Sequence, residues 1–238
     1  MNHLDLLQVY QFDKKIRCGA KQDGGYVFAE LDGAYDCYLS AGVSNEESFT
    51  RDFLAKYPLL NESNSFAFDG TIANYPYQYT TNISFIKKNI GGVNDAKHTN
   101  LWHWTTRYHD IFLKMDVEGG EYPWLQSMDE EQLSSFKQIV IEFHGITNDG
   151  WGCPYRNKVE CLKKLANTHY LIHAHGNNHG PVTNKIPDVI ELTYIHKKCV
   201  DTPPPRNTHS LPQKGLDFPN KSNAKDIDLN HYPFVSQT

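Results

Sequence analysis

The sequence lacks any apolar run long enough to span a bilayer, and its amino-terminal residues lack the apolar stretch of a secretory leader. Both absences lead to the expectation of a cytoplasmic protein with no membrane span. There is no Cys-x-x-Cys pair. The five cysteines, Cys18, Cys37, Cys153, Cys161 and Cys199, are scattered and odd in number. They read as reduced thiols, which argues against a disulfide frame or a structural zinc site. The dinucleotide fingerprint GxGxxG is missing, and so is the phosphate loop GxxxxGK[ST], which disfavours a nicotinamide dehydrogenase and a P-loop enzyme. A basic excess is missing too: the net charge is −5, so a grip on nucleic-acid backbone is not expected.

What the sequence does have is a globular composition, 39% apolar and 13% aromatic over 238 residues, enough for a sizeable core. Its twelve histidines keep local pH-dependent charge available. Composition shifts to Pro, Asn, Asp and Lys after Asp201, with Pro203-Pro204-Pro205 as an extended linker. We therefore expect a domain over 1–200 and an extension over 201–238 packed on it, with Phe218, Tyr232 and Phe234 as anchors.

Short apolar runs alternate with helical patterns, as in an α/β sheet. Residues 1–13 read as a short amphipathic helix. Strands are expected at 36–40, 65–70, 83–88, 111–115, 138–144, 170–175 and 189–195. Helices are expected at 46–57, capped by Ser44 or Asn45, and at 122–128, 130–135 and 158–167. The loop 176–187 is too short for a helical crossover, so the last two strands are expected to be antiparallel.

The most informative stretch is Ile111-Phe112-Leu113-Lys114-Met115-Asp116-Val117-Glu118-Gly119-Gly120-Glu121, an apolar strand that runs into acids and glycines. Ligands of open α/β sheets gather at the carboxyl ends of parallel strands, which puts Asp116 and Glu118 where chemistry occurs. A solvated acidic turn is the plain alternative. Ser40-Ala41-Gly42-Val43-Ser44-Asn45 makes a strand, a glycine turn and a helix start, a backbone suited to a small anionic or ribosyl group. Asp69, before Gly70, ends the next strand and is placed to accept ribose hydroxyls, although Asp-Gly is also a common turn. In this order the three features favour an adenosine-containing cofactor.

Leu113–Glu121 resembles the "LKxDxEGxE" signature of the FkbM-type methyltransferases, and the resemblance runs through about 16–196. Lys21-Gln22-Asp23-Gly24-Gly25-Tyr26-Val27 is similar to the "DGGYV" entry segment of a related subgroup. His173-Ala174-His175-Gly176-Asn177-Asn178 with Pro187–Thr193 resembles that subgroup's closing hairpin. The resemblance implies a class I methyltransferase (Rossmann-like) fold, a seven-stranded sheet with its last strand antiparallel and helices on both faces. It implies S-adenosyl-L-methionine as cofactor and O-methylation of a sugar hydroxyl, on a glycan or a nucleotide-linked sugar. The first strand ends Ser-Ala-Gly where the family commonly has Asp-x-Gly, so Asp23 or Glu47 is left to meet the methionine amino group. The cofactor residues on this reading are Asp23, Gly24, Gly25, Ser40, Gly42, Asn45, Glu47, Asp69 and Gly70.

Asp116 and His144 are the expected catalytic residues. With Glu142, which shares one side of its strand with His144, they form a candidate Mg²⁺ or Mn²⁺ set. A metal-free site with His144 as the base stands equally open. The expected acceptor contacts are Tyr26, Glu118, Arg156, His173, His175, Asn177 and Asn178, with Trp151 in the same loop as Arg156. One tryptophan of Trp102-His103-Trp104 is expected to pack and the other is left open. The competing functions are methylation of a non-sugar small molecule, and a non-catalytic nucleotide-binding module of the same fold. A homo-oligomer is compatible with the sequence.

Overall fold

The computed structural model describes residues 3–57 and 59–236. Its main sheet has seven strands: β1 (Cys37–Ala41), β2 (Ser65–Phe68), β3 (Ser84–Ile86), β4 (Ile111–Met115), β5 (Phe136–His144), β6 (His169–Gly176) and β7 (Val189–His196). Their order in space is β6-β7-β5-β4-β1-β2-β3. The pairs β1–β2, β2–β3, β1–β4 and β4–β5 are parallel, whereas β7 runs antiparallel to β5 and β6. The chain walks from β1 to the β3 edge, then returns to lay β4 against the free side of β1. That reversal opens a crevice between the carboxyl ends of β1 and β4, where ligands of such sheets sit. The helices are α1 (Ser48–Lys56), α2 (Trp102–Thr105), α3 (Glu121–Ser127), α4 (Glu130–Leu133) and α5 (Tyr155–Thr168).

Every residue of β1 and β4 is buried, as their unbroken apolar runs require of strands covered on both faces. The alternation of side chains then divides the core in two. Leu39, Leu113, Met115, Ile139 and Ile141 join Trp124, Leu125 and Leu165 on the face that packs α3 and α5. Tyr38 and Phe112 point the other way, into an aromatic cluster with Tyr26, Phe28, Phe49 and Phe53. Phe53 and Phe112 are its closest pair, with ring centroids 4.2 Å apart. This second face is covered by α1 and by a hairpin, Lys15–Cys18 with Tyr26–Ala29. Backbone groups of the hairpin bond to sheet side chains: Ala29 N–H donates to Gln138 Oε1 at 2.7 Å, and Thr193 Oγ1 donates to Val27 O at 2.5 Å.

The structure corrects several local expectations. In place of a helix over 1–13 there is one short 3₁₀ turn, His3–Leu7, and residues 1 and 2 lie outside the described residues. The chain then extends because its donors are used elsewhere: Tyr10 N–H bonds Leu171 O at 2.7 Å. Helix α1 starts at Ser48, and neither Ser44 nor Asn45 caps it. Ser44 instead adopts φ +48° in the loop above Asp69, and the Ser48 N–H is taken by Glu46 Oε1 at 2.6 Å. Helix α5 begins three residues earlier than expected, where Asp149 accepts the Tyr155 N–H at 2.7 Å. Trp104 packs edge-on against Phe66 and Phe68, while Trp102 is half exposed. All five cysteines are free thiols. Among the described residues no helix is long and apolar enough to cross a membrane.

The carboxyl-terminal segment, 201–236, packs against both the α3–α5 core and the hairpin. Leu211, Leu229 and Phe234 are buried in the core on the α3–α5 face, Phe218 lies under the Arg17 and Lys21 cations, and Tyr232 is half exposed. Two buried histidines of β6 fasten this segment. His173 Nε2 meets Asp217 at 2.9 Å; His175 meets Glu191 through Nδ1 and Asp226 through Nε2, both at 3.0 Å. These contacts correct the expectation that His173 and His175 touch an acceptor: their ring nitrogens are occupied within the fold. Asn178 is likewise engaged, bonding Lys221 N–H at 2.7 Å.

Burial alone would lower the His175 pKa, but Glu191 and Asp226 overcome it and pull it up to about 10. A histidine raised in the folded state stabilises fully below its unfolded value near 6.5, and that stability is lost as pH climbs through the folded value. His175→Gln should therefore cost roughly 1.5–3 kcal/mol at pH 6. The gap to wild type should narrow steadily toward pH 10 in urea unfolding. A gap independent of pH would mean that ionic pairing does not fasten the segment.

Candidate active site at the carboxyl ends of the central strands

Gly42, the residue after β1, has φ +81°, and a Cβ there would collide with the backbone carbonyl of Asp116. Only glycine lets the exits of β1 and β4 close to this contact. Asp116 N–H completes it by bonding Ala41 O at 2.9 Å, and Lys114 Nζ reaches Gly42 O at 2.7 Å. Around this point opens a cavity of about 600 Å³ whose wall includes Asp23, Gly24, Tyr26, Gly42, Asn45, Asp69, Asp116 and Glu118. Eight residues expected to meet a cofactor, an acceptor or the reacting atoms thus share one cavity. A wider cavity of about 810 Å³ lies at the amino ends of β4 and β5, but two of its three ammonium groups are engaged: Lys137 bonds Asp32 O and Lys198 pairs with Asp110.

Asp69 lines the site but also holds it together. Its Oδ2 accepts Val43 and Ser44 N–H at 3.1 and 2.8 Å, and its Oδ1 accepts Thr71 N–H and Oγ1 at 2.7 and 2.6 Å. Burial opposes ionisation here, but the bonds from Thr71, Ser44 and Val43 outweigh it and hold the carboxyl below its ordinary value. With four donors in place, Asp69 shapes the 43–44 loop rather than presenting two bare oxygens to a ribose.

Several expected cofactor residues stand apart from the cavity. Ser40 donates to Glu47 Oε1 and Tyr75 to Glu47 Oε2, each at 2.9 Å, in a closed buried trio. Glu47 therefore does not supply the acidic contact left open by the first strand, and Asp23, on the cavity wall, remains the candidate. Gly25 packs against Ala20 and Arg17, and Gly70 against Asn89, outside the wall. Arg156 is exposed on α5 and does not line the cavity.

Behind Asp116 the ends of β4 and β5 crowd acids around one imidazole. His144 Nε2 lies 3.8 Å from Asp116, 3.5 Å from Glu118 and 3.6 Å from Glu142; its Nδ1 lies 3.4 Å from Glu121. Burial would lower the His144 pKa, but Glu121, Asp116 and Glu118 carry it above its ordinary value. Glu142 moves upward as well, through burial and then through Asp116, Glu191 and Asp23. Tyr26 donates to Asp116 Oδ2 at 3.1 Å, and Asn177 Nδ2 to Glu142 Oε1 at 2.9 Å. Asn177 is thus a buried support of the site. Trp151, at φ +59° and half exposed, sets its ring 4.9 Å from that of His144.

The sequence reading missed Glu121 as a site residue, although it closes the quoted motif. Fully buried, it accepts the N–H groups of Gly119 and His144, each at 2.8 Å, and so fixes the turn to the end of β5. It also missed Lys114, whose signal is a cation inside an otherwise apolar strand.

Fold and cavity together describe an α/β domain with its site at a topological switch point. Residues 31–188 match the family model of the methyltransferase FkbM domain, which is more than half of the chain. The chain belongs to that methyltransferase family, as its Leu113–Glu121 motif indicated. The match is narrower than the stretch 16–196: the hairpin with Asp23 and Tyr26, and β7 from Val189, fall outside it. No curated protein matches the chain.

Gly42→Ala should destabilise the protein by at least about 2–3 kcal/mol, since a strained φ and a backbone collision coincide. Gly152 has a similar φ of +67°, but a Cβ added there would meet nothing within 4 Å. Its alanine variant should lose only about 1 kcal/mol. Equal losses in denaturant titrations would refute the close approach as the cause.

Proposed function

We propose that the chain is an S-adenosylmethionine-dependent O-methyltransferase acting on a hydroxyl of a neutral sugar, with a class I methyltransferase fold. The observation that carries this reading is the buried His144, ringed by carboxylates beside a cavity at the β1–β4 switch point. The bound cofactor supplies a methyl group already activated on a sulfonium. The protein must then align a hydroxyl and take its proton. Gly42, Asn45 and the Asp23-Gly24 turn hold the cofactor on this reading, with Asp69 keeping the 43–44 loop in shape. His144 takes the acceptor proton. Glu121 orients the ring from the Nδ1 side, and the surrounding acids stabilise the imidazolium that forms. Tyr26 keeps Asp116 turned toward the site.

The wall's charge supports a neutral acceptor over a nucleotide-linked sugar. Asp23, Glu46, Asp69, Asp116 and Glu118 line it, and Lys114, its one cation among the described residues, is spent on Gly42 O. A phosphate would meet net negative charge there. The exposed Trp151 ring offers an apolar platform for a sugar face next to His144. Asp116, Glu142 and His144 also suit a divalent ion: each has a ligand atom within 4.8 Å of the others. Two oxygens and an imidazole fit Mg²⁺ or Mn²⁺, which would acidify the acceptor hydroxyl in place of His144 as the base.

Methyl transfer to neutral oligosaccharides, read by mass, should exceed transfer to nucleotide sugars. His144→Ala should cut turnover about 10²–10⁴-fold. Its affinity for S-adenosylhomocysteine, by calorimetry, should change little. Because a base works deprotonated, the raised His144 pKa places the acid limb of kcat/KM above pH 6.5, and Glu121→Gln should move that limb down. Undiminished turnover in His144→Ala would remove it as the base. Full turnover after exhaustive chelation would remove the metal.

A further inference from the structure

Beside the reaction centre lies a second group of acids, which shares Glu142 with it and takes Asp23 from the turn placed against the cofactor. The antiparallel register sets Glu191 of β7 directly opposite Glu142 of β5. Like charges facing each other across strands repel. Asp23, from the hairpin loop, joins them, and one oxygen of each carboxylate lies within 4.8 Å of the others. Glu142 and Glu191 are both buried. Two neighbours soften this repulsion: the Asn220 amide, from the carboxyl-terminal segment, donates to Asp23 at 3.2 Å and to Glu191 at 2.6 Å, and His175 Nδ1 meets the other Glu191 oxygen at 3.0 Å.

Two buried oxygens here have no hydrogen-bond partner among the described residues, Glu142 Oε2 and Asn220 Oδ1. A buried acceptor without a donor is costly. A cation gives Glu142 Oε2 a partner and offsets the facing carboxylates.

We propose that Asp23, Glu142 and Glu191 form a divalent-cation site, closed by the Asn220 side-chain carbonyl. Three carboxylates and an amide oxygen are hard ligands, the set that Ca²⁺, Mg²⁺ and Mn²⁺ prefer. Ion binding turns the Asn220 amide over, so that its carbonyl replaces its NH₂ toward the acids. The site shares Glu142 with the His144 centre. Its occupant ties the carboxyl-terminal segment to β5, β7 and the hairpin. It does not depend on the assignment of methyl transfer.

Mn²⁺ binding to the full chain, without cofactor, followed by electron paramagnetic resonance of the free ion, tests this. Wild type should bind two ions. Asp23→Asn and Glu191→Gln should each lose one, with at least a tenfold drop in affinity for it. The pair Asp116→Asn with His144→Ala should lose the other. Asn220→Ala should weaken only the Asp23–Glu191 ion and expose the carboxyl-terminal segment to limited proteolysis. Asp23 is exposed, so its variant carries the test if Glu191→Gln does not fold. The proposal is overturned if wild type binds no ion, or if Asp23→Asn binds Mn²⁺ as wild type does. A wild type that binds one ion, lost in Asp23→Asn and kept in the Asp116–His144 double variant, supports this site and removes the ion from the reaction centre. Absence of turnover with two ions bound would instead count against methyl transfer alone.

Discussion

The close approach of Gly42 to the Asp116 carbonyl is the contact on which the rest of the site depends. It joins the exits of β1 and β4, so the glycine turn and the acidic turn become two walls of one crevice. Each wall is then fixed by side chains that accept backbone N–H groups. Asp69 holds Val43 and Ser44 on one side; Glu121 holds Gly119 and His144 on the other. A carboxylate that accepts backbone donors is both stabilised and immobilised. The site is thus preorganised by the same acids that make it negative.

That negative charge has to be balanced, and the fold balances it unevenly. Toward the carboxyl-terminal segment, His175 sits between Glu191 and Asp226, and His173 faces Asp217. These pairs are buried and matched. Around His144 four acids share one imidazole, and Glu142 Oε2 has no hydrogen-bond partner among the described residues. Buried polar groups left without partners are costly and cluster at functional sites. On the function proposed above, the surplus acids mark where the protein meets something positive: an imidazolium during proton transfer, the sulfonium and ammonium of the cofactor, or a metal ion.

Much of the fold was legible because buried strands announce themselves locally. Ile111–Met115 and Gln138–His144 are apolar runs ending in polar groups, and the sheet contains both. Asp116, Glu142 and His144 were legible as neighbours because parallel strands end together. Less legible was anything decided by partners distant in sequence. His173 and His175 alternate on one face, as acceptor contacts would, but which groups fill that face depends on Asp217 and Asp226, more than forty residues on. Ser44 looked like a helix cap because it precedes a helical pattern; Asp69, twenty-five residues away, took its N–H. Glu47 looked free because nothing nearby in sequence shows Ser40 and Tyr75 closing on it.

The hairpin face explains why these distant partners matter. A sheet face that carries Gln138, Glu142, His144, Glu191, Thr193, His173 and His175 cannot be covered by an apolar helix alone, because each buried polar group needs a donor or acceptor. The cover is instead backbone-rich. The Tyr26–Ala29 strand offers its N–H and C=O groups to Gln138 and Thr193, and the carboxyl-terminal segment brings Asp217, Asn220 and Asp226. Segments outside the family match, the hairpin and the residues after 188, thereby complete a wall that the matched strands leave polar. The matched strands position the candidate site, and the segments outside the match line its acidic side.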